Sequence, residues 1–219
     1  EEMRFDFVKG SIENHAGITC KACHGKDSTG NFAAGDNPTR FPAADLCGKC
    51  HMNETVQLED YVAHGEIVRH PQQQMVLGVE GGEVDGITYG NSAHSGFACV
   101  DCHYDTDNAG NHTFEPTVTS CNQSGCHSGL VDFNRTARAD YDGDAVVEGI
   151  QDEIQGCLDL LKDDILAAGS PNATITFDGT YFLIDGARDN TGALDPTDDA
   201  ALMLAIFNHY WVRFDASGG

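Results

Sequence analysis

Repeated Cys-x-x-Cys-His segments limit the possible folds of this chain more than any other feature. One stretch, His15 to His24 (His-Ala-Gly-Ile-Thr-Cys-Lys-Ala-Cys-His), returns as His94 to His103 (His-Ser-Gly-Phe-Ala-Cys-Val-Asp-Cys-His). Between the copies stands Cys47-Gly-Lys-Cys50-His51, and after the second stands Cys121-Asn-Gln-Ser-Gly-Cys126-His127, with a longer spacer. Cys-x-x-Cys-His is the attachment pattern of covalent haem. Two thiols a turn apart meet the two vinyl groups of one haem, and the adjacent His lies under the iron as axial ligand. The reading is four covalently attached haem c groups. They are held by Cys20, Cys23 and His24, by Cys47, Cys50 and His51, by Cys99, Cys102 and His103, and by Cys121, Cys126 and His127. Paired cysteines also build zinc sites and disulfides. Neither needs a His directly after the second Cys at every motif.

The histidine inventory decides what kind of iron results. Beyond the four proximal ligands stand His15, His64, His70, His94, His112 and His209. Met52 adjoins a proximal His and is misplaced for the far face of a haem, which leaves Met75 as the one thioether candidate. The surplus of His predicts bis-His iron throughout. Two imidazoles leave no open coordination position and, without a Met ligand, keep the potential low, which suits outer-sphere electron transfer. His15 and His94 hold matching places in the repeat and rank first as distal ligands. His112 and His70 follow, with His64 in reserve. His209 lies in an apolar helical pattern and is expected to be a core residue.

The net charge of −23, from 35 acidic against 12 basic residues, disfavours nucleic acid as a partner. No apolar run is long enough for a membrane span. Haem c is attached outside the cytoplasmic membrane, so the chain is expected to be extracellular or at the cell surface, with its leader removed. Sequons at Asn53, Asn111, Asn122, Asn134 and Asn172 suggest glycosylation. Cys157, outside the haem motifs, reads as a small buried hydrophobe.

The repeat, offset by 79 residues at its leading motif, divides the chain. Residues 1–14 form an extended arm. Residues 15–132 form the tetrahaem region, as two dihaem repeats at 15–75 and 94–132. Within it, helical spacing runs over 54–70, and the alternation from Val76 to Tyr89 suggests a hairpin. Residues 133–219 carry no haem motif and read as an α-β-β-α region. Its long helix takes in Val146, Val147, Ile150, Ile154, Cys157, Leu158, Leu161 and Ile165. A hairpin follows at 174–184, turning at Asp178-Gly179, and a last helix is capped by Asp195-Pro196. The expected fold class is therefore a multihaem cytochrome c, mostly irregular with short helices around a haem stack, plus a small α+β carboxy-terminal segment.

Asp140, Asp142 and Asp144, at alternate positions before a helix, resemble an EF-hand or dockerin-type calcium loop, with Asp152 or Glu153 needed to close it. The sixth position is Ala145 where that loop has Gly. An acidic helix start stabilised by the macrodipole is the alternative.

Through its four motifs the chain resembles multihaem c-type cytochromes. Over residues 15–127 it looks most like the extracellular tetrahaem cytochromes that polymerise into conductive filaments (the OmcE type). That resemblance implies bis-His haems, one ligand donated across the subunit boundary, and copies of the chain itself as partners in a head-to-tail filament. From the repeat, His94 is expected to reach back to the haem of Cys47 and Cys50, and His15 by the same geometry to reach the last haem of a neighbouring subunit, with a haem of its own subunit as the alternative. Redox proteins or extracellular acceptors are the other expected partners. A soluble periplasmic shuttle and a multihaem reductase are the competing functions. No catalytic cluster accompanies the motifs to favour the reductase.

Overall fold

The structure is a computed structural model and describes residues 43–48, 51, 71–103, 114–122, 125–188 and 191–215. The expected arm, the helical pattern over 54–70, and the candidate ligands Cys20, Cys23, His24, Cys50, His15, His64, His70 and His112 lie outside that range. In chain order the elements are α1 (Ala43–Gly48), α2 (Gln72–Leu77), α3 (Cys99–His103), α4 (Val118–Cys121), α5 (Ile150–Ala168), β1 (Ile175–Phe177), β2 (Phe182–Ile184), β3 (Ala187–Arg188) and α6 (Ala200–Arg213). No helix among the described residues is long and apolar enough to cross a membrane. They fall into two compact units, one drawn from Glu1–His51 and Phe97–Thr117, the other from Met52–Gly96 and Val118–Gly219. The expected second dihaem repeat is divided between them. Cys99, Cys102 and His103 belong to the first unit, while His94, Cys121, Cys126 and His127 belong to the second.

In the first unit α1 packs against α3. The second unit has an apolar core built on α6. Leu202, Met203, Ile206, Phe207, Tyr210 and Trp211 are all buried there. Their spacing fills two adjacent rows of the helix, giving an apolar face wide enough to meet both α5 and the sheet. From α5 comes Ile165, and from β2 come Phe182 and Ile184, whose alternation turns Leu183 away. The Phe182 N–H donates to the Tyr210 hydroxyl at 2.6 Å and ties strand to helix.

The sheet has a third strand that the α-β-β-α reading lacked. β1 pairs antiparallel with β2, and β2 with β3. The β2–β3 turn is Asp185-Gly186, with φ of 51° and 78°. Two consecutive left-handed residues make the tight turn that joins twisted strands, and Asp-Gly is its sequence cue.

Three boundaries also differ from expectation. Helix α5 starts only at Ile150, and Val146 and Val147 are half exposed in the loop before it. Asp195 caps the turn preceding the last helix, accepting the N–H groups of Thr197 (2.7 Å) and Asp198 (3.1 Å), and α6 begins at Ala200. The hairpin expected over 76–89 is absent. Gly78, Glu80, Gly81 and Gly86 all take positive φ there, which ends strand alternation. The Gly82 backbone bonds instead to the Asn208 side chain, at 2.8 and 2.9 Å.

His209 is buried, at 2% exposure, with ring centres 6.0 Å from Phe177 and 5.1 Å from Phe182. Its Nδ1 has no hydrogen-bond partner among the described residues. Burial pushes its pKa down to about 4, and the Arg213 and Lys162 cations add to the shift. The unfolded chain takes up this proton near pH 6.5, so the contribution of neutral His209 is complete above that pH. It declines as the pH falls towards about 4, by about 3 kcal/mol in all. A His209→Phe variant should lose this part of the acid sensitivity. Urea midpoints for both proteins at neutral pH and near pH 4.5 measure it, and equal pH dependence in the two proteins contradicts it.

Candidate haem and cation sites

Helix α3 is a single turn that carries a whole Cys-x-x-Cys-His motif. Cys99, Cys102 and His103 stand at i, i+3 and i+4, and residues so spaced share one helix face. The same closure recurs at the neighbouring motif, where the His51 N–H donates to the Cys47 carbonyl at 2.9 Å. The His103 Nδ1 lies 3.0 Å from the Phe114 carbonyl oxygen. A carbonyl only accepts, so Nδ1 carries the proton and Nε2 is left with its lone pair. Metal-bound imidazoles are commonly held in this way by a backbone acceptor. Two thiols and an oriented imidazole on one turn fit the donor set of haem c.

Where α1 meets α3, thiols of two different motifs meet as well. A hydrogen bond with Cys47 lowers the Cys99 pKa to about 6, against partial burial, and His103 adds to the lowering. Lowering of this kind favours the thiolate, the form in which a thiol reacts.

The last motif uses a different local device. Helix α4 ends at Cys121, and the His127 N–H donates to the Cys121 carbonyl at 3.0 Å, closing the longer loop. Asn122 fastens it from inside. Its Nδ2 donates to the Leu130 carbonyl (2.6 Å), and its Oδ1 accepts the Leu130 N–H (2.7 Å). The His127 ring then faces His94, with centroids 6.0 Å apart and planes at 66°. Met75, the thioether candidate, packs against the apolar core of this unit.

Oxygen atoms of Asp140, Asp142 and Glu153 lie within 4.8 Å of one another, and so do those of Asp142, Asp144 and Glu148. The sequence leads to most of this. Asp140 accepts the N–H groups of Gly143 (2.6 Å) and Ala145 (2.9 Å), winding the loop around its first carboxylate. Ala145 takes φ 75°, the left-handed turn for which that loop position uses Gly, so the backbone follows the pattern where the residue does not. Of the two acids offered for closure, the buried Glu153 joins the cluster. Asp152 instead accepts Asn134 Nδ2 at 2.6 Å. Glu153 accepts the N–H groups of Glu148 (3.0 Å) and Tyr141 (2.6 Å), which hold its pKa below the ordinary carboxylate value despite burial. Glu148 is shifted up by loss of solvent and by the surrounding carboxylates.

Sequence reasoning missed two supports of this loop. Asn134 Oδ1 accepts the Gln151 N–H at 2.9 Å and caps α5 from outside the helix, beside a bridge between Thr136 and Gly149. Gly156 has no side chain, and a Cβ there would collide with the Asp142 carboxylate. Cys157 is only half buried, and burial with nearby Asp142, Glu153 and Asp140 raises its thiol pKa. The sequon residues Asn122, Asn134 and Asn172 each use Nδ2, the glycan-accepting atom, in a hydrogen bond, for Asn172 to Asp199 at 2.9 Å.

No family model matches the chain, and neither does any curated protein or solved structure.

Proposed function

We propose that this chain is a tetrahaem c-type cytochrome that transfers electrons outside the cytoplasmic membrane. The reading rests on the four Cys/Cys/His motifs. Its main structural support is the one-turn α3, with two thiols and a His whose Nδ1 is committed to a carbonyl. Bound there, haem supplies one-electron chemistry at an iron whose axial ligands set its potential. The chain's own residues attach it through Cys99 and Cys102, orient His103 through Phe114, and offer enough His for a closed coordination shell. With two imidazoles supplied by the chain to each iron, such a group would exchange electrons without a change of ligands. In the form the resemblance suggests, copies associate head to tail into an extracellular filament with a continuous haem chain. A soluble shuttle has the same cofactors and stays monomeric. Reduction followed by reoxidation with a soluble acceptor tests the electron-transfer reading, and electron microscopy of the purified protein separates filament from monomer.

One observation favours a second reading. Cys47 and Cys99 meet, and two Cys-x-x-Cys pairs together make a tetrahedral zinc site. That reading gives no part to the His after each second Cys. Metal and haem content of the same sample decides between the two.

The acidic loop is proposed to bind calcium through Asp140, Asp142 and Glu153, with Asp144 at its rim. Calorimetry on metal-stripped protein should give binding of about millimolar affinity or tighter, in the range of extracellular calcium modules. Weaker binding leaves the loop as an acidic helix start alone.

A further inference from the structure

We infer that His94 and His127 are the two axial ligands of one iron, that of the haem attached at Cys121 and Cys126. The inference rests on the tetrahaem reading and adds a specific partner to it.

The separation of the two rings matches that of two imidazoles sharing one metal. With metal–nitrogen bonds of about 2 Å, such rings have their centres roughly 6 Å apart. The His94 and His127 centroids are 6.0 Å apart. Rings joined through one metal both contain the nitrogen–metal–nitrogen axis, so rotation about that axis is free to set the angle between their planes. The observed 66° is therefore compatible.

Both histidines sit on tethered backbone within the same unit. The Ser92 N–H donates to the Leu77 carbonyl at 3.3 Å, and the Ser92 hydroxyl accepts the His94 N–H at 3.1 Å. The loop of His127 is fastened by Asn122 and by the Cys121 carbonyl. His94 is exposed and His127 half exposed.

The assignment has a consequence for assembly. The repeat in the sequence matches His94 with the haem of Cys47 and Cys50 and leaves the last haem for His15 of a neighbouring subunit. With His94 on the last iron, that haem is complete within one chain, and any ligand crossing a subunit boundary serves a different haem.

The test uses His94→Ala in the full haem-loaded chain. All four haems should remain covalently attached. One should become high-spin and, when reduced, bind about one CO per chain, with added imidazole restoring the low-spin spectrum. In His94→Ala combined with Cys121→Ser and Cys126→Ser, the CO site should vanish together with the fourth haem. His94→Met keeps a ligand in place where alanine destabilises the fold, and should raise one of the four potentials through thioether ligation. A fully low-spin His94→Ala protein overturns the pairing, as does a CO site that survives in the triple variant, or four unchanged potentials in His94→Met. Wild-type protein without covalent haem is a separate outcome, and removes the tetrahaem reading itself.

Discussion

Cys99→Ser with Cys102→Ser should yield a chain with three covalent haems in place of four, and about a quarter of the haem absorbance should disappear. Both thiols lie on the one turn of α3, and no other described cysteine is spaced to replace them beside His103. Rapid reduction should become biphasic in this variant, because electrons reach the remaining haems across a gap. His103→Ala is the informative companion. Attachment survives through the two thioethers, while the iron loses an axial ligand and turns high-spin. Intact mass and spin state thus separate the roles of thiols and imidazole. Four haems in the double serine variant would move the attachment site elsewhere.

Phe207→Ala should destabilise the second unit by about 3–5 kcal/mol, the usual range for removing a buried aromatic ring. Phe207 is 1% exposed, with its ring centre 5.6 Å from Trp211, in the row of α6 that forms the core. Leu160→Ala is the control on α5. Leu160 is 52% exposed, and its loss should cost no more than about 0.5 kcal/mol. Urea unfolding of both variants gives the comparison. Equal losses would mean that the core lies elsewhere.

What the sequence revealed, and what it hid, follows from the range of the forces involved. The attachment motifs are local chemistry, with thiol, thiol and imidazole on one turn, and they are legible without any tertiary information. The face of α6 is also local, because helical periodicity places Leu202, Ile206 and Phe207 together. The strand β3 has a local cue in Asp185-Gly186, of the same kind as Asp178-Gly179. The missing hairpin over 76–89 is another matter. Its backbone partner is the Asn208 side chain, 126 residues away, and no spacing rule points to it. Asn134 capping α5 is a similar long-range effect, as is the approach of Asp142 that Gly156 permits. Pairing one histidine with another is the least local of all. Repeat symmetry marked His94 as a distal ligand and pointed it at the haem of Cys47 and Cys50, whereas its ring lies beside His127.

The most direct test of the account is quantitative EPR of the oxidised protein, with spins counted per chain. The account predicts four low-spin ferric irons and no substantial high-spin signal. A chain without ferric haem, or one with a large high-spin population, would contradict it, the first by removing the haem reading and the second by opening an iron to substrate.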